Sequence, residues 1–193
     1  MNFFEGYSQK LANNNIINSE DMELYSYGLK QGMIMLINLL TTLAIGLVFN
    51  MLAESVILTV AYIPIRIYSG GYHSRTQLSC YIVSVIITIA ELLLIKNLHI
   101  NIYISLVLSI VFGLIIFVLS PVEDKNKPLD NTEIVVYKKR SRSILICELS
   151  ILYLLIYLKV INIANCIVIS LGLMALMLVV GKLKNEFSKV NTN

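Results

Sequence analysis

Apolar residues run along this chain in long uncharged stretches separated by short polar segments, an alternation that predicts membrane-crossing helices. Residues 31–53, 97–122 and 160–181 contain no Asp, Glu, Lys or Arg. Each is long enough for an α-helix, rising about 1.5 Å per residue, to cross a hydrocarbon core of about 30 Å. Three shorter runs lie between them: 55–67 with Arg66 at its end, 80–95 with Glu91 near its end, and 144–158 with Glu148 one turn in. All three are shorter than the usual span of about 20 residues, so they read as short or tilted spans or as re-entrant segments packed against protein. The run at 55–67 either spans or re-enters. The expected fold class is therefore all-α, a polytopic membrane helical bundle of about six segments. With no internal repeat or low-complexity tract, residues 1–193 read as a single membrane-embedded domain.

Ahead of the first span, Phe3, Phe4, Tyr7 and Leu11 recur at helical spacing with Glu5, Gln9 and Lys10 between them. This predicts an amphipathic helix within residues 1–32, lying on the cytoplasmic surface or packed on its own protein. Asn18 or Ser19, followed by Glu20, Asp21 and Glu23, predicts a capped helix start leading into the first span. Residues 1–32 have neither the apolar core nor the small-residue cleavage site of a signal peptide, so this segment is expected to stay on the mature protein. Composition agrees with the membrane setting: 57% hydrophobic residues and a mean hydropathy of +0.77 exceed what a soluble domain needs.

Charge gives the spans a direction. In a six-span arrangement the N-terminus, 68–79, 120–143 and the C-terminus share one side, and all but Lys96 and Lys159 of the 15 basic residues fall there. The positive-inside rule makes that side the cytoplasm, with 120–143 as a basic cytoplasmic loop. Lys138, Lys139, Arg140 and Arg142 in that loop satisfy the rule, and they also suit an acidic peptide tail or anionic lipid.

The candidate chemistry sits in a polar island, Arg66-Ile67-Tyr68-Ser69-Gly70-Gly71-Tyr72-His73, followed by Cys80 at the start of the next apolar run. Residues 66–80 thus read as a catalytic loop. Cys147 and Cys166 lie inside apolar runs, where a buried thiol is the ordinary reading, and a cytoplasm-facing site argues against disulfides. Zinc would find only two ligands in His73 and Cys80, because His99 falls on the opposite side, so no metal and no cofactor is expected. Continuous helix would hold His73 and Cys80 about 10 Å apart, so the chain must turn between them for the imidazole to reach the thiol. Ser74 or Thr76 can cap a helix beginning there, which places Cys80 in its first turns. The dipole of that helix and a protonated His73 would both favour the reactive thiolate. Gly70-Gly71 would let a peptide approach closely and could expose amides to an oxyanion. Residue chemistry alone points to thiol acyl transfer or proteolysis, and leaves open a small multi-pass membrane transporter or scaffold with a solvated His73 and a packing Cys80.

Arg66, Gly70-Gly71, His73 and Cys80 at these spacings resemble the signature of the accessory gene regulator B (AgrB) family, bacterial membrane cysteine endopeptidases. The segment Ser120-Pro121-Val122-Glu123-Asp124-Lys125-Asn126-Lys127-Pro128-Leu129 resembles that family's Pro-x-Glu-x-x-Asn-x-Pro pattern. The resemblance implies processing of an AgrD-type propeptide into a cyclic thiolactone or lactone autoinducing peptide for quorum sensing. It makes Cys80 the nucleophile and His73 the general base, and places the chain in the bacterial cell membrane with both termini and the site cytoplasmic. The implied partners are the propeptide, the lipid bilayer and a second copy in a homodimer, with no nucleic acid.

Arg66, at the membrane edge, is expected to need a carboxylate. Glu123 and Glu148 are the candidates to pair with it or to orient His73, whereas Glu91 lies about 16 Å beyond Cys80 along a helix. Lys125 and Lys127, beside the second motif, are candidate contacts for the substrate tail. A peptide exporter without peptidase activity would account for Glu91 and Glu148 equally well, but not for a need for the Cys80 thiol.

Overall fold

The computed structural model of the chain describes residues 3–14, 16–72, 76–98, 100–123 and 129–190. Among these, seven α-helices and one 3₁₀ turn follow in order: α1 (Phe3–Asn13), the 3₁₀ turn Ser19–Asp21, α2 (Met22–Val48), α3 (Leu52–Ser69), α4 (Gln77–Asn97), α5 (Ile102–Leu119), α6 (Asn131–Tyr157) and α7 (Ile161–Val190). The helices α2, α3, α4, α5 and α7 are long and apolar enough to cross a membrane. The run 144–158, expected as a sixth segment, forms the C-terminal half of α6, which is not among these five.

Bundle packing centres on α7, whose buried Ala164, Val168, Leu171, Met174, Ala175 and Leu178 form one core with Ile65 of α3, Ile116 of α5 and Leu145 and Leu152 of α6. Lipid tails are as apolar as these side chains, so close van der Waals fit and buried hydrogen bonds hold such helices together. One such bond joins Ser105 Oγ to Asn165 Oδ1 at 2.7 Å, and the Asn165 amide also donates to the Ile100 carbonyl at 3.3 Å. On the edge of the bundle, α4 leans mainly on α2, where the Tyr81 hydroxyl meets Thr41 Oγ1 at 2.9 Å. α2 leaves most of its apolar surface uncovered.

Several boundaries differ from those the hydrophobic pattern suggests. The apolar run 31–53 contains a turn: Asn50 takes φ 60°, the Met51 N–H closes on the Gly46 carbonyl at 2.8 Å, and α3 starts at Leu52. The same device joins α6 to α7, where Lys159 has φ 60° and the Val160 N–H reaches the Leu155 carbonyl at 2.9 Å. Both are Schellman-type helix endings. With Leu52–Glu54 added, 55–67 is part of a continuous 18-residue helix that runs through Pro64 and is long enough to span. Residues 131–143, expected as loop, form the N-terminal half of α6, which begins where Glu133 accepts the Asp130 N–H at 3.1 Å in a capping box. The N-terminal region splits into α1, which packs on α2, and a 3₁₀ turn at Ser19–Asp21. Asn18 precedes that turn without a side-chain cap to the backbone.

Leu178 is fully buried on α7, whereas Leu176 on the same helix is 57% exposed. Leu178→Ala should cost about 2–4 kcal/mol in unfolding from detergent micelles, and Leu176→Ala under about 1 kcal/mol. Equal losses would show that α7 is not the packing axis.

Candidate active site

α3 ends at Ser69, and the chain turns away through two glycines in left-handed conformations, Gly70 at φ 67° and Gly71 at φ 108°. Residues 70–72 then run alongside 120–122. The Val122 N–H donates to the Ser69 carbonyl at 2.8 Å and the Gly71 N–H to the Val122 carbonyl at 3.1 Å, making a short parallel bridge between the two sequence motifs. On the other flank the Tyr72 N–H donates to the Met177 carbonyl of α7 at 2.9 Å. The strip is tightly enclosed. A Cβ on Gly70 would fall on the Val122 carbonyl oxygen, and one on Gly181 of α7 would come within 2.7 Å of the Gly71 carbonyl carbon and the Tyr72 nitrogen.

Arg66 sits one turn before the end of α3, and its guanidinium donates to the carbonyls of Gly70 and Tyr72. Its planar fork can hold two acceptors of one bent strand at once, which a lysine ammonium does less well. Beneath this clamp, three buried serines meet: Ser69 Oγ lies 2.6 Å from Ser141 Oγ, and Ser120 Oγ donates to Ser141 Oγ at 2.7 Å. The ends of α3 and α5 are thereby tied to α6 immediately before Gly70 and Pro121.

Cys80 lies on α4. Thr76 caps α4, its hydroxyl accepting the Ser79 N–H at 3.2 Å while the Cys80 N–H bonds to the Thr76 carbonyl at 3.0 Å. The thiol is thus in the first turns of α4 and partly exposed. Cys80, Ser84, Thr88 and Glu91 recur at i, i+4, i+8 and i+11, one face of the helix. On the neighbouring α3, which packs against α4, Tyr62 lies one turn before Arg66. His73 lies outside the described residues, as do Lys125 and Lys127. The described residues on either side of His73, Tyr72 and Thr76, are held by the clamp and by the α4 cap.

Several expected roles change. The Gly70 amide donates to the Arg66 carbonyl at 3.2 Å and the Gly71 amide to Val122, so neither is available to an oxyanion. Arg66 is compensated by carbonyls where a carboxylate partner from Glu123 or Glu148 was expected. The Glu123 carboxylate instead accepts the Leu129 N–H at 3.3 Å, and its carbonyl accepts from Asn185 Nδ2 at 2.7 Å. Glu148 lies two turns of α6 deeper than Ser141, with Oε2 buried and without a hydrogen-bond partner. Among the described residues no group of three His, Cys, Asp or Glu side chains could hold a metal ion. Sequence reasoning missed Ser69, Ser120, Ser141, Tyr62 and Gly181. The first two at least flank the recognised motifs.

The accessory gene regulator B (AgrB) family matches residues 5–178, which takes in the Arg66–Cys80 segment, the 120–129 segment and most of α7. The chain belongs to the AgrB family. That places it in quorum-sensing accessory gene regulation. It is 29% identical over 163 residues to an AgrB-like protein 2 of Clostridium perfringens (strain 13 / Type A), covering 81% of this chain and 73% of the relative. It is 28% identical over 154 residues to AgrB-like protein 1 of the same strain, covering 79% and 80%. Accessory gene regulator protein B of Staphylococcus aureus is 30% identical over 91 residues, about half of each chain at 47% and 48%. No solved structure matches the chain significantly. AgrB membership thus rests on sequence, while the clamp is seen in the fold.

Ser141→Ala removes the shared partner of two buried hydroxyls and should cost about 1–3 kcal/mol, lowering the unfolding midpoint in detergent. Ser141→Thr, which keeps the hydroxyl, should recover part of that loss. An unchanged midpoint for the alanine variant would remove the serine cluster from the account.

Proposed function

We propose that this chain is a membrane cysteine endopeptidase that removes the C-terminal tail of an AgrD-type propeptide and closes the remainder into a thiolactone or lactone. The observation that carries this reading is the position of Cys80. Its thiol sits in the first turns of a capped helix, and His73 follows the clamped residues 70–72 directly in sequence and precedes that cap by three residues. In a chain of the AgrB family, that pairing supports nucleophilic catalysis.

In this mechanism His73 takes the Cys80 proton, and the thiolate attacks the carbonyl preceding the tail. As the tetrahedral intermediate collapses, its C–N bond breaks, His73 returns the proton to the departing amine, and a thioester remains on Cys80. On the thiolactone route, an internal propeptide thiol then attacks that thioester. The acyl group passes from one sulfur to another, Cys80 recovers its proton, and the ring closes with its activated bond intact. Water competes for the same thioester, so holding the propeptide thiol close while limiting water favours the ring. Because the Gly70 and Gly71 amides are committed, we assign the Tyr62 hydroxyl, one turn before Arg66 on α3, which packs on α4, as a donor to the developing oxyanion.

Topology supports a cytoplasmic site. Residues 70–72, 120–123 and the last turns of α7 gather at one end of the bundle with Arg66, Lys139, Arg140, Lys182 and Lys184, while Lys96 and Lys159 mark the other end. The positive-inside rule makes the first end cytoplasmic, where a ribosomally made propeptide is available.

Mass spectrometry of the propeptide co-expressed with each variant, at matched membrane abundance, tests the reading. Cys80→Ala and His73→Ala should each lower tail cleavage by about 100-fold or more. Glu123→Gln and Glu148→Gln should retain it. Tyr62→Phe should lower kcat about 10- to 100-fold with little change in KM. Normal cleavage by both Cys80→Ala and His73→Ala would transfer the site to the exporter reading, which the unpartnered buried oxygens of Glu91 and Glu148 would then favour.

A further inference from the structure

α6 divides its basic residues between two faces. Arg142 turns to α5, with its guanidinium 3.9 Å from the Phe117 ring centroid and a bond to the Phe117 carbonyl at 3.3 Å. Arg140 turns to α3, where it lies 5.3 Å from the Tyr68 ring centroid and donates to the Tyr68 hydroxyl at 3.3 Å. Tyr68 in turn stands edge-on to Tyr137 at 5.8 Å, so Arg140 is held on an aromatic support. Beside it an open cavity of about 440 Å³ is lined by Tyr68, Val136, Lys139, Arg140, Ser143 and Ile144.

The depth and direction of this cavity indicate what it can hold. Tyr68 precedes Ser69, which bonds to Ser141, so the cavity lies level with the end of α3, at the edge of the apolar zone. Toward the membrane, the same α6 face continues through Cys147, Ile151 and Leu154, and the neighbouring α3 face through Pro64 and Val60. Val60, Ile151 and Leu154 are exposed at 66%, 47% and 57%. A cationic, aromatic-backed cavity thus lies next to exposed apolar side chains on α3 and α6. A water-borne peptide has no use for those apolar side chains, whereas a glycerophospholipid has a phosphate for the cavity and an acyl chain for the apolar face.

We propose that the α3–α6 face is a binding site for one anionic glycerophospholipid, its phosphate in the cavity on Lys139 and Arg140 and one acyl chain along Ile144, Ile151 and Val60. A zwitterionic lipid supplies the same phosphate but cancels it with its own cation, so the site selects net negative charge. By bridging α3 and α6 the lipid braces the pair of helices that the Ser69–Ser141 contact joins beneath the clamp.

Native mass spectrometry of the full chain, released from detergent containing equal amounts of phosphatidylglycerol and phosphatidylcholine, tests the site. Wild type and the opposite-end double variant Lys96→Gln/Lys159→Gln should each retain one phosphatidylglycerol. Lys139→Gln and Arg140→Gln should each weaken retention about five-fold, and the double variant about 25-fold. The two single variants keep the comparison readable should the double variant fail to fold. Phosphatidylglycerol, but not phosphatidylcholine, should also raise the Tm of the wild type, and this gain should shrink in the variants. Equal retention of the two lipids, or unchanged retention in Lys139→Gln and Arg140→Gln, would overturn the proposal. So would displacement of the lipid by a soluble Asp/Glu-rich peptide whose own binding is lost in the same variants, since that would assign the face to an acidic peptide.

Discussion

A helix that stops at the edge of a membrane and then doubles back must find donors for the carbonyls its turn leaves unpaired, and here Arg66 supplies them. Its guanidinium spans the Gly70 and Tyr72 carbonyls, so the charge is neutralised by dipoles while the bent strip is held in one conformation. Left unpaired there, either the charge or the carbonyls would cost more than an ordinary surface contact. The glycines at 70 and 71, the close approach of Gly181 and the pairing with Val122 all follow from placing backbone where a side chain would normally fill the space.

The clamp links three distant parts of the chain. The end of α3, the segment after α5 and the second half of α7 converge on residues 69–72, and Ser141 of α6 ties the first two from below. α4, which carries Cys80, stands apart from this core and leans on α2. The two halves of the proposed catalytic pair are therefore held differently: the residues before His73 by backbone pairing and the Arg66 clamp, and the helix carrying Cys80 by a cap, by α2 and by the Leu92 cluster further along α4. A peptide entering between them would meet a fixed wall and a more lightly packed one.

Much of this was legible in the sequence, for physical reasons. Uncharged runs revealed the spans because hydrocarbon tolerates little else, and a cap before α4 was readable at Ser74 or Thr76, of which Thr76 serves. The first half of α6 was hidden, since Lys138, Lys139, Arg140 and Arg142 resemble a loop to any hydropathy argument. Its local signal was the Asp130–Glu133 capping box. The glycine pair was read as free amides because nothing local shows that Val122 and Met177 arrive to use or enclose that strip. Nor could Ser69, Ser120 and Ser141 be grouped, because serine leaves no periodic trace and only the fold brings them together. For Arg66 a carboxylate was expected; carbonyls only four and six residues on in sequence, brought back by the glycine turn, satisfied it.

The central claim is that the clamp, through the strip that leads to His73, sets the reactivity of Cys80. It is tested most directly by the rate at which iodoacetamide alkylates Cys80 at neutral pH, with Cys147 and Cys166 replaced by Ala. Wild type, His73→Ala, Arg66→Lys and Gly181→Ala would be compared in the same membranes. The account predicts a fast wild-type rate and similarly slow rates in all three variants, since loosening the strip should act like removing the imidazole. Wild-type rates in Arg66→Lys and Gly181→Ala beside a slow His73→Ala would contradict it, showing that the histidine reaches the thiol without the clamp.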